Sequence, residues 1–161
     1  MQVHLLRHGT AEDMKPGSSD AERKLTVAGR DEVRGAAECA RRARVAPTLI
    51  LSSPYMRAVE TAEIAAEVLG YHRGIVRTDV LIPSASPQRV WNEIRSRQDE
   101  MQILLAGHEP LLSQLAAYLL GMPVLQIEMR KATLVRIDLD RFAPDPCGIL
   151  KWMAPPDIWA G

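Results

Sequence analysis

Short apolar runs alternate along most of this chain with longer stretches in which apolar residues recur every three or four positions. Val3 to Leu6 is the first run, the right length for a strand buried on both faces. A polar loop follows through Lys15-Pro16-Gly17-Ser18-Ser19-Asp20. Thr26 then suits the N-cap of a helix reaching about Arg44, with Val33, Ala36, Ala37 and Ala40 on one side. Thr48 to Leu51 reads as a second strand. Ser53-Pro54 opens the next helix, with Pro54 at its first position and Val59, Ala62, Ala66 and Leu69 as its inner stripe. Ile75 to Leu81 reads as a third strand, and Gln88 to Arg97 as a helix anchored by Val90, Trp91 and Ile94. Gln102 to Ala106 is a fourth strand, followed by a helix from Pro110 to Leu120 with Leu111, Leu112, Leu115 and Leu119 inside.

This alternation predicts an α/β fold, a three-layer α/β/α sandwich around a mostly parallel sheet. The end of the chain breaks the rhythm. Thr133 to Leu139 and Ile149 to Met153 read as two more strands of the same sheet, an antiparallel pair separated by the loop Pro144-Asp145-Pro146-Cys147-Gly148. The Pro155-Pro156 tail is expected to pack loosely. At 161 residues, the expectation is one domain spanning 1–161.

Composition narrows the choice of partner. Hydrophobic residues make up 47% and charged residues 25%, which fits a packed chain and not a disordered one. Twenty Lys and Arg cancel twenty Asp and Glu, so no global field exists to draw in nucleic acid or an anionic membrane. Anion recognition must then be local. The charged face of the first helix (Arg30, Asp31, Arg34, Glu38, Arg41) reads as solvated surface. Cys39 and Cys147 lack metal-ligand spacing and are read as reduced thiols. The start, Met1 to Arg7, has neither the basic lead nor the apolar length of a targeting segment, so a cytoplasmic protein is expected.

Candidate chemistry lies where strands end. In an open α/β sheet, ligands bind beyond the carboxyl ends of the strands. The first strand runs into Arg7-His8-Gly9-Thr10, the second into Ser52-Ser53-Pro54 with Arg57 one turn on, and the fourth into Gly107-His108-Glu109. If these strands are parallel, all three ends meet at one edge. Arg7 and Arg57 offer planar forks that match phosphate oxygens. Arg57 sits in the first turns of a helix, where the dipole opposes a cation and favours a bound anion. Gly9 allows close approach of backbone to a ligand. A neutral His8 presents one ring nitrogen as a nucleophile while a hydrogen bond fixes the other, and a protonated His108 would stabilise charge on a transferring group. His4, within the strand, and His72, in a loop, read as structural.

These residues resemble the histidine phosphatase superfamily, most closely its small SixA-like phosphohistidine phosphatases. Arg7-His8-Gly9 matches the family motif. Leu25-Thr26 with Gly29, then Ser53-Pro54 with Arg57 and Thr61, and Gly107-His108 with Pro110 follow in the family's order. The resemblance covers nearly the whole chain. It implies that His8 is the phosphorylated nucleophile, Arg7 and Arg57 the phosphate clamp, and His108 the second pocket histidine, with no metal or other cofactor. Gly9, Thr10 and Lys131 are candidate minor contacts. Arg23 and Lys24, just before Leu25, could reach the phosphate from the polar loop.

The chain departs from the wider superfamily in one place. Where many ester phosphatases carry an acid after the third strand, this chain reads Leu81-Ile82-Pro83-Ser84-Ala85-Ser86, with Asp79 expected inside the strand. Expelling an alkoxide needs a proton donor, whereas expelling imidazole needs much less help. The expected substrate is therefore phosphohistidine on a protein, such as a signalling-relay domain. A small-molecule phosphomonoesterase, drawing a proton from Glu12, Asp13 or Glu109, stays open, as does a non-catalytic phosphate-binding module. Glu109 also has the plainer reading of a favourable acid at a helix start.

Overall fold

The structure, a computed structural model, describes residues 1–158. Its strands are β1 (Gln2–Arg7), β2 (Leu49–Ser52), β3 (Val76–Arg77), β4 (Gln102–Gly107), β5 (Leu134–Asp138) and β6 (Ile149–Ala154), and its helices are α1 (Val27–Arg42), α2 (Met56–Leu69), α3 (Pro87–Arg95) and α4 (Leu111–Leu119). The six strands form a sheet in the order β3-β2-β4-β1-β5-β6. β1, β2, β3 and β4 pair in parallel, and β5 runs antiparallel to both β1 and β6.

Strand alternation sorts the apolar residues into two layers. Val3, Leu5, Leu49, Leu51, Ile103 and Leu105 face one way, against α3 and α4 through Trp91, Ile94, Leu112 and Leu115. Leu6, Ile50, Leu104 and Ala106 face the other way, against α1 and α2 through Val33, Ala36, Ala62 and Ala65. Both faces of the central strands are buried, which is why the strands read as unbroken apolar runs. A fully buried leucine such as Leu5 contributes roughly 1.5–3 kcal/mol by leaving water. The small alanine faces of α1 and α2 let those helices pack together on one layer. Among the described residues, no helix is long and apolar enough to cross a membrane.

Three expectations need correction. The third strand is two residues long, not seven. It is an edge strand whose ladder reaches only Ser52, the end of β2, and Thr78 then caps a 3-10 turn over Asp79–Leu81 by accepting a bond from the Val80 N–H. Asp79 is thus exposed on a turn and not held in a strand. Pro54 does not open α2. The Tyr55 N–H donates to the Ser53 side chain, making a turn that delays the helix to Met56. The tail is also not loose as far as it is described: Pro156–Ile158 form a 3-10 turn, and Asp157 pairs with Arg130.

Candidate active site

Register brings the three strand ends level. Arg7 lies opposite Gly107 across β1 and β4, and Ser52 opposite Ala106 across β2 and β4. The ladder continues one step beyond each strand, with His8 N–H donating to Gly107 O at 3.0 Å and Ser53 N–H to Ala106 O at 3.0 Å. His8, Ser53 and His108 therefore leave the sheet side by side. The imidazoles of His8 and His108 have ring centroids 5.0 Å apart.

The tautomer of His8 follows from its partner. Nδ1 lies 2.7 Å from the carbonyl oxygen of Gly9, which can only accept, so Nδ1 carries the proton. The lone pair is left on Nε2, which the Arg57 Nε faces at 3.4 Å. Burial lowers the His8 pKa to about 4; the Gly9 carbonyl bond opposes this, and the charges of Arg57, Arg7 and Lys131 add to it. The ring is neutral at physiological pH, as a nitrogen nucleophile must be. His108 is pushed lower still, by burial first and then by His8 and Arg57. Its Nε2 lies 2.8 Å from the Ser53 hydroxyl, which can donate or accept. Both shifts depend on the site being free of anions, because a dianion between the rings would favour their charged forms.

The cations are held from outside. Arg57, only 5% exposed, gives Nη1 to the Asp20 carbonyl at 2.7 Å and Nη2 to the Asp20 carboxylate at 2.9 Å. Its guanidinium also lies 5.1 Å over the ring of Tyr55, which meets His108 edge-on. Arg7 donates Nη1 to the carbonyl of Met129 at 2.6 Å. Arg7 Nε and His108 Nδ1 are buried with no hydrogen-bond partner among the described residues. Buried polar atoms are normally paired, so these two nitrogens suit a ligand that brings oxygens.

The remaining expected residues separate. Lys131 lines, with Arg7 and Thr10, an open depression of about 350 Å³. Thr10 commits both its N–H and its hydroxyl to the Glu32 carboxylate, at 2.8 and 2.9 Å. The missing side chain of Gly9 makes room for helix α1 and not for a ligand, since a Cβ there would stand 2.3 Å from the Gly29 carbonyl. Arg23 binds Glu12 O and Asp20, and with Lys24, Glu12 and Asp13 it lines a different depression. Glu109 accepts from Ser113 N–H at 3.0 Å, as an acid at a helix start does, and also borders a hollow with Arg7. His72 is exposed in its loop. Among the described residues, no group of three or more His, Cys, Asp or Glu could hold a metal ion.

Sequence reasoning did not find Asp20 or Tyr55. Asp20 reaches Arg57 across 37 positions, a contact that no local pattern encodes. A faint signal existed in Ser19 and Glu22, spaced as a capping box, which marks a structured turn inside an apparently featureless loop.

Known proteins resemble this chain in sequence and fold. Residues 3–81 match the model of the histidine phosphatase superfamily (branch 1). The phosphohistidine phosphatase SixA of Escherichia coli K12 is 31% identical over 121 residues, 74% of each chain. A solved protein histidine phosphatase SixA complexed with tungstate superposes with a TM-score of 0.87 at 27% identity, covering 98% of both chains. The alpha-ribazole phosphatase of Shigella flexneri shares the fold, with a TM-score of 0.77 at 17% identity over 97% of each chain.

Proposed function

The chain belongs to the histidine phosphatase superfamily and is a phosphatase, and from that premise we propose that it removes phosphoryl groups from protein phosphohistidine through a phosphorylated His8. The observation that carries this reading is the Nδ1–H to Gly9 carbonyl bond, which leaves the Nε2 lone pair beside a buried guanidinium. In the first step that lone pair attacks phosphorus, the bond to the substrate imidazole breaks, and the imidazole, already protonated on its other ring nitrogen, leaves as a neutral ring with the electron pair. In the second step a water oxygen attacks phosphorus, the phosphorus–Nε2 bond breaks, and inorganic phosphate and neutral His8 are regenerated. Arg7, Arg57 and His108 surround the equatorial oxygens, so positioning and charge stabilisation supply most of the acceleration.

The choice of phosphohistidine over a phosphate ester rests on the acids. The stretch from Leu81 to Ser86 holds no carboxylate, and Asp79 stands exposed on its turn. Asp20, the carboxylate bonded to Arg57, is held below its usual range by Arg23 first and also by Arg57, so it is ionised at neutral pH and has no proton to give. An imidazole leaving group tolerates this, and an alkoxide does not. Glu109 keeps the ester reading alive, because it borders with Arg7 a hollow of about 510 Å³.

Trapping the acid-labile phosphoenzyme over a substrate panel tests the proposal. A phosphohistidine peptide is expected to exceed sugar and nucleotide monophosphates in kcat/KM by roughly 100-fold or more, the factor a missing general acid withholds from esters. Equal or faster ester turnover would replace this reading with a small-molecule phosphomonoesterase.

A further inference from the structure

Arg57 offers five N–H donors in a rigid plane. Two of its nitrogens, Nη1 and Nη2, are engaged by Asp20 at the far end of the guanidinium, while Nε looks back at His8 Nε2. The bond to His8 is long, 3.4 Å, and a phosphoryl oxygen arriving at Nε2 can displace it readily. The Asp20 bonds are short and charge-assisted, and they persist when the near side of the fork turns to a ligand.

Both carboxylate oxygens of the half-exposed Asp20 are engaged. Its second carboxylate oxygen accepts from Arg23 Nη1 at 2.9 Å, and Arg23 Nε is tied to Glu12 O at 2.6 Å. The turn Asp20–Glu22 is closed by Glu22, whose carboxylate accepts from both Ser19 N–H and the Ser19 hydroxyl. The base of the loop is pinned by Glu12 N–H to Lys24 O at 2.8 Å, and beyond it Leu25 N–H binds the buried Glu60 of α2 at 2.6 Å. An outwardly polar loop is thus built to deliver one carboxylate to one buried guanidinium.

We propose that Asp20 is the positioning residue of the phosphate clamp: by occupying the far edge of Arg57 it sets that guanidinium so that its near edge meets the phosphoryl group on His8 Nε2. The proposal rests on His8 and Arg57 serving the roles given above. Asp20 transfers no proton in this scheme, and it acts through Arg57 alone.

A double-mutant cycle with the phosphohistidine peptide tests it, read as the single-turnover rate of phosphoenzyme formation, which stays measurable in slow variants. Asp20→Ala is expected to lower that rate roughly 10- to 100-fold, the usual cost of a misplaced catalytic group. KM should change less than about threefold, because the lost contact acts in the transition state. Asp20→Asn keeps an oxygen acceptor for Nη2 and should recover most of the rate. In an Arg57→Lys background, where no fork remains to be aimed, Asp20→Ala should add less than about twofold. Melting temperatures confirm that each variant is folded. A wild-type rate in Asp20→Ala, or an equal penalty in the Arg57→Lys background, overturns the proposal. So does an Asn variant as slow as Ala that also loses a limb of the pH profile, since that pattern belongs to a proton carrier. If Arg57→Lys itself reacts at the wild-type rate, the clamp fails and Asp20's role falls with it. If Arg57→Lys is crippled and Asp20→Ala is not, the clamp stands and only Asp20's role is lost.

Discussion

His4 and His8 stand four residues apart at the two ends of one environment, the interior of β1 and its carboxyl edge. Both are buried, and burial is the first cause that brings each to a pKa of about 4. Their surroundings differ in kind. His4 packs at 5.9 Å from the ring of Trp152, and neither of its nitrogens has a partner among the described residues. His8 has Nδ1 fixed by the Gly9 carbonyl and a guanidinium facing Nε2. Desolvation therefore supplies a neutral ring at either place, and Arg136 places a charge near His4 as well, but only the strand end adds a fixed tautomer, a guanidinium facing the free ring nitrogen and a second imidazole. A low pKa marks burial; the partners mark chemistry.

The comparison can be broken most decisively by deleting each ring. His8→Ala is expected to lose the phosphoenzyme entirely and to lower turnover about 10⁴-fold or more, as removal of a nucleophile does. His4→Leu should leave turnover within about twofold, since no site residue depends on it for a hydrogen bond. A large loss of turnover in His4→Leu, with the fold intact by circular dichroism, would erase the distinction.

Titration sharpens it. Followed by ring proton resonances, both histidines should titrate near pH 4 without ligand. Saturating inorganic phosphate should raise the His8 pKa by about one unit or more, the usual effect of an adjacent opposite charge, and leave His4 in place. Equal movement of the two would mean that the anion is not at the strand end.

Stability carries the comparison without touching turnover. His4 has a folded pKa of about 4 against an ordinary value of 6.5. Between those values the unfolded chain binds more protons than the folded one. Stability is then complete above pH 6.5 and declines as pH falls toward 4, by up to about 3 kcal/mol from this ring. His4→Leu should flatten that part of the pH–stability curve in urea titrations. An unchanged slope would show that His4 stays solvated or paired when folded.

Fold and site were legible in the sequence to different depths. The layers followed from periodicity, because Val3 and Leu5 must point away from Leu6, and Ile103 away from Leu104, wherever the strand lies. The shared edge of Arg7, Arg57 and His108 followed from parallel topology, since parallel strands end on the same side. The seven-residue third strand failed because apolar spacing does not reveal how far a neighbouring strand extends, and β2 stops at Ser52. Thr10 read as a candidate minor contact because Glu32, 22 residues away, could not be seen beside it.

By itself, the order of residues determined a layered α/β architecture and which strand ends carry titratable groups, because both depend on alternation and chain direction, which are local properties. Tertiary structure alone decided the proton's place on His8, the grip of Asp20 on Arg57 and the close approach of helix α1 to Gly9. Each of these depends on distances of a few ångströms between segments remote along the chain, and hydrogen bonds and steric contacts vanish over less than the uncertainty any periodicity leaves.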